Sequence, residues 1–76
     1  MNNNKRNILS KAISKIEEAR TIIEFVGDGE QDSLDNIPDN LIGSEKYENM
    51  EDVIDLLSES IDNLDEAISC VERAKE

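Results

Sequence analysis

The chain has 76 residues, of which 37% are apolar; Phe25 and Tyr47 are its only aromatics, Cys70 its only cysteine, and histidine is absent. Eight basic residues against 19 acidic ones give a net charge of −11. A disulfide within the chain is therefore excluded, a tetrahedral zinc site is disfavoured, and the missing basic face argues against nucleic acid or an anionic membrane surface as partner.

The charge is unevenly spread. Residues 1–26 carry five basic and three acidic side chains, and residues 27–76 carry three and sixteen. No apolar run approaches the roughly 18 residues of a membrane span. The charged start is followed by no apolar signal-peptide stretch, so the expected location is the cytoplasm, where a free thiol is at home. A chain this short buries little surface alone, and with disulfide and zinc set aside a partner chain is the expected support.

In chain order, residues 1–4 (MNNN) read as a disordered start. From Leu9 the residues Leu9, Ala12, Ile16, Ala19, Ile23 and Val26 are spaced 3, 4, 3, 4, 3, the seam of packed helices, and Ile13 and Ile22 widen it. Gly27 and Gly29 leave two readings, since each costs about 1 kcal/mol against alanine inside a helix. Either the helix stops at Val26 with Gly27 as its cap, or it continues to Asn36. The second is preferred, because the pattern reaches Leu34 and Ile37 and the two helices then match in length. The first helix is thus expected at about 5–36.

Residues 37–43 are expected to form the turn. Pro38 disfavours helix at Ile37, Asp35, Asn36, Asp39 and Asn40 can bond to the local backbone, Gly43 permits a sharp bend, and Ser44 suits an N-cap. Ile37, Leu41 and Ile42 are expected to fold over the end of the helices.

The second helix is expected at about 44–75. Met50, Leu57, Leu64 and Val71 lie seven apart, Val53, Ser60, Ala67 and Ala74 are placed beside them in the seam, and Ile54, Ile61 and Ile68 add a third row. Three rows are too wide for one partner helix. The expected fold is therefore all-α: an antiparallel two-helix hairpin, one domain over 5–76, that dimerises into a four-helix bundle. Lys5, Lys11 and Lys15 are expected to face the stretch holding Asp62, Asp65, Glu66 and Glu72. Ile16, Ile23, Leu57 and Leu64 are expected at the centre of the core.

Candidate sites are few. Asp28, Glu30 and Asp32 alternate like the start of a calcium loop, but Ser33 stands where glycine is required and Asp39 where a glutamate is required. Glu59 and Asp62 form E-x-x-D, half of the paired-carboxylate pattern of all-α nucleotide pyrophosphatases, while Glu17 and Glu18 lack the second acid. A phosphohydrolase is accordingly the weakest alternative. Cys70 lacks a histidine to activate it and reads as a packing residue. Glu48, Asp52, Asp55, Glu59, Asp62 and Glu66 recur every three or four residues. On a helix that is a charge every ~5–6 Å, near the phosphate spacing of one DNA strand. The ordinary reading, a solvated helix face, is preferred over DNA mimicry. Tyr47 is expected to close the end of the core, although tyrosines also anchor interfaces.

The run EEAR followed by EQDSLDNIPDNLIGSEKYENMEDVIDLLSESIDNLDEAI resembles a group of small acidic proteins of phages and prophages of Gram-positive bacteria. Their pattern is EEQ, DNxPxNL, SExxE and an acidic amphipathic helix ending LxxAI. Glu30, Gln31, Asp35, Asn36, Pro38, Asn40, Leu41, Ser44, Glu45, Glu48 and Glu51 carry it, over about residues 16–70, whereas Gly27 and Gly29 depart from the charged run expected there. The resemblance implies a phage context, with a host-modulating or phage-accessory role, and no particular chemistry.

The functional expectation is a non-enzymatic interaction protein without cofactor or metal. Its partners are itself and an unidentified host or phage protein, met through Tyr47, Glu48, Asp52, Asp55, Glu59 and Asp62. The alternative is a DNA-mimic inhibitor of a host DNA-binding or defence protein.

Overall fold

A computed structural model describes all residues 1–76. Two helices, α1 (Asn3–Asp35) and α2 (Glu45–Lys75), run antiparallel, joined by a turn that contains one 3-10 segment, Asp39–Leu41. The hairpin is a rod 60 Å long and 15 × 12 Å across at the Cα atoms. No helix is long and apolar enough to cross a membrane.

The ends follow from local chemistry. The Asn2 side chain accepts a hydrogen bond from the Lys5 backbone N–H at 2.8 Å, so α1 starts at Asn3, and the expectation of a disordered start over 1–4 is corrected by that cap. Gly27 and Gly29 do not interrupt α1. The helix stops at Asp35, where the Asn36 amide group donates back to the Asp32 carbonyl at 2.7 Å. Pro38 then holds extended geometry (φ −59°, ψ 145°). Gly43 takes φ +83°, which a side chain would oppose. Ser44 caps α2 through the Tyr47 N–H at 3.2 Å. Glu45 and Glu48 sit in the first turn of α2 and Arg73 and Lys75 in the last, both favoured by the helix dipole.

The seam keeps the expected rows Leu9, Ile16, Ile23 and Met50, Leu57, Leu64, Val71, and differs from the expectation in the second row of each helix. The less exposed positions include, on α1, the series Leu9, Ile13, Ile16, Arg20, Ile23, Gly27, Glu30 and Leu34, with Ala12 and Ala19 partly covered beside it, and on α2 the series Met50, Ile54, Leu57, Ile61, Leu64, Ile68 and Val71, with Ser60 and Ala67 partly covered beside it. Both series step 3, 4, 3, 4. The isoleucine row read as an extra stripe of α2 is therefore half of its seam, and Val53 and Ala74 lie outside it, exposed. Using both large rows of α2 buries the most apolar area against one helix. It turns α1 so that Gly27, not Val26, meets Leu57: a Cβ on Gly27 would lie 4.0 Å from that of Leu57. Ile13, 4% exposed, is the only buried residue; Ile16, Ile23, Leu57 and Leu64 lie in the seam but are only half-buried.

Two further expectations are corrected. Leu41 and Ile42 do not cover the end of the helices but stand exposed, and only Ile37 is partly covered. The short 3-10 turn carries their side chains outward. Lys5, Lys11 and Lys15 form no ion pair; the bridge between the helices is Arg20 with Asp65, two contacts at 2.6 and 3.2 Å. The three lysines are fully exposed, whereas Arg20 holds a seam position and reaches across.

Candidate functional site

A hairpin has two broad faces, one on each side of its seam. On one side lie the residues that follow each seam position. On α1 these are Ser10, Ser14, Glu17, Thr21, Glu24 and onward to Asp35, and on α2 Glu51, Asp55, Ser58, Asp62, Asp65 and onward to Glu72. Every residue in these two rows is polar. On the other side lie the residues that precede each seam position. There Ile8, Ile22 and Val26 of α1 and Val53 and Leu56 of α2 are all exposed, Ile22 by 59% and Leu56 by 64%. Phe25, on the back of α1 opposite the seam, is 79% exposed. Antiparallel pairing brings the two apolar rows to the same side, because each runs one residue ahead of the seam on its own helix.

The expected interaction residues fall in two places. Glu48, Asp52, Asp55, Glu59 and Asp62 form one exposed stripe that runs between the polar face, where Asp55 and Asp62 lie, and the back of α2, and none of them enters an ion pair. Tyr47 holds the first seam position of α2, half-buried, beside a surface depression lined by Leu34, Asp35, Glu51, Ile54 and Asp55. Tyr47 meets the stripe only at Asp55, across that depression.

The net charge divides with the fold. The contacts Arg6–Lys75, Arg20–Asp65 and Gly27–Leu57 set the level of each helix against the other. They define a half toward the turn (residues 24–61) and an open-ended half (1–23 with 62–76). The turn half carries twelve acidic residues and one basic, Lys46; the open-ended half carries seven of each. The whole excess of −11 thus belongs to the turn half. In the open-ended half Asp65, by hydrogen bonding and by its charge, holds the Arg20 guanidinium above its ordinary pKa, with Glu24 a weaker contributor at 2.8 Å.

Shape divides the same way. All three surface depressions lie mainly or wholly along the turn half. The largest, about 440 Å³, is open and bordered by Glu30, Glu45, Lys46, Asn49, Met50 and Val53. A second, about 200 Å³, opens beside Gly27, where a missing side chain leaves Leu57 and Ile61 uncovered. Neither holds the convergent polar groups that fix a small ligand. No three acidic or thiol side chains converge closely enough to hold a metal ion. Glu59 and Asp62 stand on α2 and Glu17 and Glu18 on α1, all exposed.

No protein-family model, curated protein or solved structure matches the chain. Sequence reading found the acidic stripe from its spacing alone. It missed the apolar face, because the rows before and after a seam are told apart only once the seam's phase is known.

Proposed function

We propose that the chain is a small acidic interaction protein without enzymatic activity, which self-associates into a four-helix bundle and binds another protein through the acidic stripe of α2. The observation that carries the reading is that stripe, Glu48, Asp52, Asp55, Glu59 and Asp62, exposed and unpaired on an uninterrupted 31-residue helix. A straight helix presents such charges at fixed intervals without ordering cost on binding. The likeness to small acidic phage proteins supports a target in a Gram-positive host.

The same stripe favours a second reading, a DNA mimic that occupies the basic groove of a DNA-binding or defence protein. Its support is the ~5–6 Å charge interval with no neutralising partner on that side. A partner captured with the full-length protein from a Gram-positive host lysate tests both. Binding that weakens steeply with salt and is lost in the Asp55→Lys, Glu59→Lys, Asp62→Lys variant supports the acidic stripe as the contact. If the captured partner is also displaced by duplex DNA, mimicry is the better description. Binding that survives half-molar salt and the triple reversal overturns both. Magnesium-dependent turnover of a nucleotide, abolished by Glu59→Gln, would overturn the non-enzymatic reading.

A further inference from the structure

The apolar face is opposite in character to the rest of the surface, and its rows have a definite register. On α1 the row runs Ile8, Ala12, Lys15, Ala19, Ile22, Val26, Gly29, Ser33; on α2 it runs Asn49, Val53, Leu56, Ser60, Asn63, Ala67, Cys70. The Arg20–Asp65 bridge and the Gly27–Leu57 contact set Ala19 of the α1 row level with Asp65 and Glu66 of α2. We propose that this face is where two copies of the chain meet, head to tail, across a two-fold axis that passes through that level at right angles to the helices. The proposal rests on the self-association above and names its surface and its orientation.

Three observations select a second copy in this arrangement. The first is area. The chain exposes 5640 Å², whereas a compact protein of its mass exposes about 4,700 Å². The excess of about 900 Å² is close to the ~800 Å² that each partner contributes to a standard interface.

The second is charge. With the turns stacked together, the two −11 halves would face each other at bundle distance, about 10 Å. Head to tail, each −11 half lies on the partner's neutral half, and the acidic ends are separated by several times the ~8–10 Å screening length. The like-end arrangement is therefore the costly one.

The third is fit. A two-fold axis at Ala19 sets the partner's Gly29 over Ile8, its Val26 over Ala12, its Ile22 over Lys15 and its Ala19 over Ala19. At the ends of the α1 row large side chains meet small ones, Ile8 with Gly29 and Val26 with Ala12, as interdigitating helices require, and between them the Lys15 stem lies along Ile22. This also gives Gly29 a role that the single chain lacks. It is a helix-interior glycine with nothing within 4 Å of the place its side chain would take, yet it is where the partner's Ile8 enters.

A disulfide reads the arrangement directly. Ile8 and Gly29 share one helix and are about 31 Å apart along it, so cysteines at these positions cannot pair within a chain. The full-length Ile8→Cys, Gly29→Cys, Cys70→Ser protein, oxidised while folded, is expected to give a covalent dimer, with mass spectrometry locating the 8–29 bond. A spin label on Asn7→Cys in the Cys70→Ser background, exposed and off the face, checks the orientation without touching the interface. Two labels about 35–40 Å apart are expected, since each lies twelve residues from the axis. Sedimentation as a dimer without the 8–29 bond, and with labels at about 20 Å, overturns the head-to-tail arrangement but leaves self-association standing. A helical protein that sediments at 8.6 kDa overturns both.

Discussion

The two halves of this hairpin are built from the same heptad spacing and differ in almost everything else. In the open-ended half, isoleucine, leucine and valine hold every seam position but Arg20, the one buried side chain is found (Ile13), and the charges balance with a bridge, Arg20–Asp65, between the helices. In the turn half the α1 seam positions are Gly27, Glu30 and Leu34, the surface is pitted beside them, and twelve acids face one base. The α1 end even places Asp32 and Asp35 at the negative end of its own dipole, with no basic residue in the last turn. One half is packed for stability within the chain. The other depends on its turn chemistry, and on what covers Val53 and Leu56.

The comparison is broken most severely by deleting side chains from the two seams. Ile13→Ala should lower stability by about 2–5 kcal/mol, the usual range for a buried isoleucine. Leu57→Ala should cost less, about 1–2 kcal/mol, because it faces a glycine and is already half in water. Equal losses in urea unfolding would contradict the difference between the halves. Next comes the turn itself. Gly43→Ala forces a side chain into left-handed backbone and should cost about 1–2 kcal/mol, with the loss read as a lower thermal midpoint.

A smaller change should sharpen the turn half instead. Gly27→Ala places a methyl in ordinary contact with Leu57, 4.0 Å between Cβ atoms. It also removes a poor helix former, so a gain of about 1 kcal/mol is expected. A loss would mean that the helices need the close approach at that level. The smallest effect is expected from Arg20→Gln. The bridge to Asp65 lies at the surface, so the loss should be slight, and it should shrink further when unfolding is repeated at high salt.

Much of the fold was legible in the sequence because it follows from single residues. Pro38, Gly43 and Ser44 mark the turn by backbone chemistry, and matched helix lengths carry α1 through Gly27 and Gly29. The phase of the seam's second row was not legible. Ala12, Ala19 and Val26 lie one position from Ile13, Arg20 and Gly27, and both rows have the same period. Apolarity favoured the first row on α1, and packing against Ile54, Ile61 and Ile68 chose the second. The acidic stripe was legible from its own spacing, whereas the apolar face depended on that phase.

The most direct test of the unequal halves is native-state hydrogen exchange on the full chain, followed amide by amide along α1 at low and high protein concentration. At low concentration the amides around Gly27–Leu34 should exchange faster than those around Ile13–Arg20, in keeping with their poorer burial. Raising the concentration should slow exchange, and most of all in the Gly27–Leu34 stretch as a second copy covers it. Uniform protection along α1, unchanged by concentration, would contradict the account.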